Sequence, residues 1–166
     1  MSRLLAWIDT ISRVVGKGIS FIMFPIVAIV CFEVAMRYAF HRPTIWASES
    51  IVYGCAFLYV WGAAWTMLDN RHVKIDMVYE KLSERGQRIL DIITFSFFAL
   101  YMGMMLWVGM KYAMDSIKLL ETSGTPWDPP VYPVKSAFVI GVFMLILQGS
   151  AKFIRDIYFI VKGKEL

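Results

Sequence analysis

Residues 92–110 read IITFSFFALYMGMMLWVGM, nineteen consecutive positions without a charged side chain. An α-helix rises about 1.5 Å per residue, so roughly 20 such residues cross the hydrocarbon core of a bilayer, about 30 Å thick. Arg88 precedes the run and Lys111 follows it. The same pattern recurs three times. Residues 18–32 are uncharged, with Lys17 just before them, and the apolar character continues through Glu33 to Met36. Residues 50–68 carry no charge, and residues 136–151 carry none and extend at either end to Val134 and Phe153. No alternation of apolar and polar residues supports a barrel strand.

Composition agrees. The 166-residue chain is 58% hydrophobic and 18% charged, against about 45–50% and about 25% in a soluble domain. Its charge is clumped between the apolar runs. We therefore read one all-α integral membrane domain over residues 1–166, with spans at 18–36, 50–68, 90–110 and 134–153. Twelve of the 17 Lys and Arg residues fall in the N-terminal segment, the loop between spans two and three, and the C-terminal segment. The positive-inside rule then places both termini in the cytoplasm. This asymmetry accounts for the net charge of +4, and no basic, aromatic-interleaved domain points to nucleic acid.

Ahead of span one, Leu4, Ile8, Ile11 and Val15 recur at helical spacing opposite Arg13 and Lys17. This predicts an amphipathic helix on the cytoplasmic surface. The apolar patch is too short for a cleavable signal and is closed by Asp9. Pro25 predicts a kink near Phe21, whose carbonyl loses its donor. Trp46, Trp107 and Trp127 fit an outer aromatic belt and Trp65 an inner one. A short surface helix carrying Val78 and Leu82 is expected in the cytoplasmic loop. Four of the six prolines (126, 129, 130 and 133) lie in the outer segment ETSGTPWDPPVYPVK, which reads as a rigid cap rather than a helix. Ala99 with Gly103, Ala137 with Gly141, and Gly54 with Gly62 are spaced for close helix contacts. Cys31 and Cys55 fall inside spans one and two and read as small packing residues.

Signs of enzymatic chemistry or of a cofactor are missing. The chain has no Gly-rich phosphate loop, no cysteine pair at metal-binding spacing and no Ser-His-Asp set assignable to one compartment. His41 and His72 are a membrane thickness apart. Within the spans the residue of interest is Glu33, because an ionised side chain at the bilayer centre costs roughly 2.5–3.5 kcal/mol on insertion scales. Arg37 follows at i+4, acid before base, the favourable order on one helix face. A structural pair and a proton or ligand site are both readings of Glu33. Inside the remaining spans Gln148, Ser50, Ser96, Thr66, Thr94, Ser136 and Ser150 offer side-chain hydrogen bonds, and none of them forms a converging anion or cation site.

The order Arg37-Tyr38, Trp46, Glu49, Gly62-Ala63-Ala64, His72-Val73 and Asp76 resembles the small membrane subunit of tripartite ATP-independent periplasmic (TRAP) transporters, the DctQ family. The segment Trp127-Asp128-Pro129-Pro130, then Pro133-Val134-Lys135 and Gln148, looks like one branch of it, often labelled for mannitol or chloroaromatic compounds. The resemblance implies a heterodimer in a bacterial or archaeal cytoplasmic membrane. A large multi-span subunit would carry the substrate and sodium sites and move as an elevator. A periplasmic substrate-binding protein would deliver a small organic acid or related solute. The small subunit would be a scaffold in the lipid. Glu33, Arg37, Tyr38, Trp46, Glu49, His72, Asp76, Trp127 and Gln148 would face the partner or lipid, or hold the helices in place. Two other classes compete with this reading: a self-sufficient proton-coupled exporter using Glu33, and a membrane anchor of a redox complex.

Overall fold

The structure is a computed structural model that describes residues 2–69 and 82–162. It is all-α among those residues: α1 (Ser2–Ser20), α2 (Met23–Tyr38), α3 (Ala47–Leu68), α4 (Glu84–Leu119) and α5 (Tyr132–Lys162). Four helical stretches are long and apolar enough to cross a membrane: Arg3–Tyr38, Ala47–Leu68, Gly86–Leu119 and Tyr132–Lys162. The first of these is α1 and α2 together. They separate at Phe21 and Ile22, four and three residues before Pro25. There the helical ladder tightens, with Phe24 N bonding Phe21 O at 3.2 Å. The proline removes the donor that would have continued the ladder.

Helices do not associate in lipid by hiding apolar surface from water, so small residues and hydrogen bonds must fix their contacts. α5 is the axis of the bundle. It packs on α4, α3 and α1, and it buries Ala137, Gly141, Val142, Leu145, Gln148, Gly149, Ala151 and Asp156. Gly141 lies against Val60 and Trp61, and Trp61 Nε1 donates to the Ala137 carbonyl at 2.8 Å. A β-carbon added at Gly149 would fall 2.5 Å from a ring carbon of Phe98, too close for any real contact. On the other side α1 and α2 run antiparallel to α3, with Gly16 against Trp65 and Gly54 against Ile26.

Thus Ala137, Gly141 and Gly54 are close-contact positions, as their spacing predicts, whereas nothing lies within 4 Å of where a β-carbon on Gly62 would sit. Ala99 and Gly103 are not close-contact positions either. Both are exposed, and nothing lies within 4 Å of where a β-carbon on Gly103 would sit. The face of α4 that meets α5 carries Phe95, Phe98, Gly109, Ala113 and Ser116 instead. Phe95 stacks on Phe153 at 4.2 Å between ring centroids. Cys31 is exposed on α2 and Cys55 half-buried, both as free thiols.

At 36 residues α4 is about 54 Å long, more than a bilayer core needs. Its ends therefore project beyond the apolar stretch at 92–110. Ser83 caps its start by accepting from Gly86 N. Leu120, in the left-handed conformation, closes its end. The proline-rich segment after it is non-helical through Val131, as expected, whereas its last four residues, Tyr132 to Lys135 with Pro133 among them, form the first turn of α5. The non-helical part folds back so that Val131 N bonds Glu121 O at 2.9 Å and Ser123 N bonds Pro129 O at 3.0 Å.

Candidate functional site

The ionisable side chains collect at the two ends of the bundle. One end carries the connections α2–α3 and α4–α5 (the hairpin end). The other carries the start of α1 and the end of α5 (the terminal end).

At the hairpin end, Glu33 is 6% exposed and both its oxygens are bonded. Oε1 accepts from Arg37 at 2.8 Å, while Oε2 accepts from the Thr44 hydroxyl at 2.5 Å and the Thr44 backbone N–H at 3.2 Å. The helical i, i+4 relation supplies the first bond. The second requires the chain to turn back after Tyr38, which it does through His41 in the left-handed region, with Arg42 N bonding Met36 O at 2.9 Å. Trp46 then stacks on Phe32 at 6.0 Å. Glu49 follows in the first turn of α3, where the positive end of the helix dipole favours an acid. Its Oε2 is shielded and has no hydrogen-bond partner within the described chain. Glu33, Arg37, Trp46 and Glu49 are thus gathered on one hairpin. Tyr38 is 74% exposed beside them. Trp127 stands apart on the α4–α5 connection and is exposed. That connection is tied to α5 by Lys135, whose ammonium bonds Glu121 at 2.5 Å. The same ammonium holds the Glu121 carboxyl below its ordinary range.

The terminal end holds a longer network. Gln148 is 1% exposed. Its side-chain oxygen accepts from Ser12 at 2.9 Å, and its amide donates to Asp9 at 3.0 Å. The other oxygen of Asp9 takes a bond from Arg155 at 2.5 Å. Between α4 and α5, Arg88 bonds the buried Asp156 at 2.5 Å and also lies over the Phe159 ring, while Lys152 bonds Asp91 at 2.6 Å. Gln148 is the one member of this network that the sequence singles out. The ion pairs go unread because Arg88, Lys152 and Arg155 register there only as topology charges. A signal did exist. Arg88 and Asp91 are one turn apart, and so are Lys152 and Asp156, in an order of sign that antiparallel packing converts into two matched pairs.

His72 and Asp76, together with the surface helix expected around Val78, lie outside the described residues. α1 is a helix as expected, but the side it packs into the bundle carries Leu5, Ser12 and Gly16, not Leu4 and Ile11, which are exposed. Among the described residues no cluster of three or more His, Cys, Asp or Glu side chains is arranged to hold a metal ion.

No curated protein matches the chain. Residues 26–158 match the family described as tripartite ATP-independent periplasmic transporters, DctQ component. That match runs from just after the kink of the first span to near the end of α5, taking in the hairpin-end network and the ion pairs between α4 and α5 but not Asp9 and Ser12 of α1, and a family of this kind works with a large membrane subunit and a binding protein. The chain belongs to the DctQ family, the small multi-pass membrane component of these transporters.

Proposed function

We propose that this chain is a stationary scaffold, not itself a conduit. It holds a large elevator-type subunit in a bacterial or archaeal cytoplasmic membrane during sodium-driven, binding-protein-dependent uptake of a small organic acid or related solute. The observation that carries this reading is the state of Glu33. The acid best placed for proton coupling spends both oxygens on Arg37 and Thr44. A coupling carboxylate needs to exchange its partners during the cycle, whereas this one staples a hairpin. It supports the scaffold over the proton-coupled exporter. For a redox anchor, nothing among the described residues supplies the facing histidines such a subunit uses, since the one described histidine, His41, is exposed at the hairpin end. On this reading the chain does no chemistry. The termini face the cytoplasm. Glu33, Arg37, Tyr38, Trp46 and Glu49 form a firm wall at the outer boundary, and the exposed α1 stripe of Leu4, Trp7, Ile11 and Val14 meets lipid or partner at the inner one.

Reconstitution tests it. The chain alone in liposomes is expected to move no solute, and addition of the large subunit and binding protein is expected to give uptake that follows a sodium gradient. Solute uptake by this chain alone overturns the scaffold. Orientation is read separately, in a variant lacking both native cysteines. A cysteine at Pro126 should react with an impermeant thiol reagent on intact cells, and cysteines at Arg3 and Lys162 should not.

A further inference from the structure

Between α3 and α4, in the hairpin half of the bundle, the chain leaves an apolar groove of about 360 Å³. It exists because both helices pack on α5 rather than closely on each other. Phe138 of α5 forms part of its floor, Ala56 lies on one wall, and Val108 with Gly109 lies on the other. The small side chains at 56 and 109 make the room. Tyr112 and Lys135 line the end nearest the connection. One turn before Tyr112, the Lys111 ammonium lies 4.4 Å from the centre of the Trp107 ring. That pairing puts this end of the groove at the depth of the aromatic belt. The charges at this end come as an opposed pair, Lys135 and Glu121, with side chains 31% and 41% exposed.

The groove is apolar along its length and carries an opposed pair of charges beside one end, which matches a hydrocarbon chain joined to a charged headgroup. The rim then selects the headgroup. A purely anionic lipid must compete with Glu121 for Lys135, and a trimethylated ammonium has no N–H to give Glu121. A headgroup with a phosphate and a primary ammonium meets both charges and exchanges one charge-assisted bond for two. We propose that this groove holds one acyl chain of a phospholipid with a primary amine in its headgroup, the phosphate on Lys135 and the ammonium on Glu121.

The test uses the chain purified with its large subunit. The detergent-solubilised complex is given equal amounts of phosphatidylethanolamine, phosphatidylglycerol and phosphatidylcholine with the same acyl chains, and retained lipid is counted by native mass spectrometry. Phosphatidylethanolamine should be retained several-fold over the other two. Glu121→Gln and Lys135→Gln should each erase that preference. Ala56→Leu, and independently Val108→Trp, should lower retention of every lipid by filling the groove, with the large subunit still bound. Equal retention of the three headgroups overturns the proposal. So does a preference that survives Glu121→Gln, or loss of the large subunit in place of lipid when the groove is filled.

Discussion

The two ends of the bundle are held by different kinds of polar network. At the hairpin end, Glu33 reaches Arg37 four residues away and Thr44 eleven residues away. At the terminal end, Asp91 and Lys152 are 61 residues apart, Arg88 and Asp156 are 68 apart, and Asp9 and Arg155 are 146 apart. The first network needs only one hairpin to form. The second exists only once α1, α4 and α5 stand in register. In lipid, where apolar faces have little preference for one another over acyl chains, such long-range bonds are what can choose one register among several. The hairpin end is therefore a local staple, and the terminal end is where the assembly of the helices is specified.

If that contrast holds, the largest effect of a single substitution should come from Asp156, which is 1% exposed. Removing one member of a buried pair costs about 3–5 kcal/mol, because the other charge is left behind. Arg88 is 30% exposed, so solvent can take up part of its charge, and the lower end of that range is expected for Asp156→Ala. Replacing both members, with Arg88→Met and Asp156→Leu, should restore much of the loss. Thermal unfolding of the chain in detergent, analysed as a double-mutant cycle, measures the coupling. A loss no greater than that of a hairpin-end variant would dissolve the contrast.

The same contrast explains how much of the molecule was legible beforehand. The four apolar stretches, the break before Pro25 and the Glu33–Arg37 pair depend on residues within a few turns of each other, and each appears in the structure. Thr44, the second partner of Glu33, went unread because only the closed turn brings it back. Asp9 goes unread because nothing local says which helix face it will meet, and Asp91 and Asp156 because their matched order of sign becomes a set of pairs only once α4 and α5 pack antiparallel. The Ala99–Gly103 pair failed for the same reason. Spacing shows that two small residues share a face of α4, but not that the face has a neighbour, and α4 packs chiefly on α5.

A second, smaller effect is expected at Glu33. Glu33→Leu leaves the Thr44 hydroxyl and N–H without their acceptor, at about 1–3 kcal/mol. Arg37→Ala should cost less, about 0–1 kcal/mol, since Arg37 is half exposed and Thr44 still satisfies the acid. Glu33→Gln keeps an acceptor for Thr44 and should leave both the complex and its uptake largely intact. Copurified large subunit per small subunit, measured beside uptake, separates the cases. A normal complex with abolished uptake in Glu33→Gln means that the acid takes part in coupling.

The smallest effect belongs to Glu121, which is joined to Lys135 across the proline-rich connection and is partly exposed. Its bond to the ammonium lowers the carboxyl pKa from the ordinary value of 4.5. A group whose folded pKa is depressed adds stability that is fully present above its unfolded pKa and disappears as pH falls through the folded one. The Glu121–Lys135 bond should therefore be constant through neutral pH and lost only on the acid side of 4.5. Because the pair is exposed, added salt should weaken it as well. The chain holds other carboxylates as well, so the absolute acid limb is uninformative. The difference between the native chain and Glu121→Gln isolates the one group. Melting midpoints recorded in detergent down the acid limb should show a small gap at neutral pH that closes as the solution is acidified, and a smaller gap at high salt. A gap that stays open below the folded pKa would assign the loss to packing of the glutamine rather than to charge. A gap as large as that of Asp156→Ala would place the specifying interactions at the hairpin end instead of the terminal one.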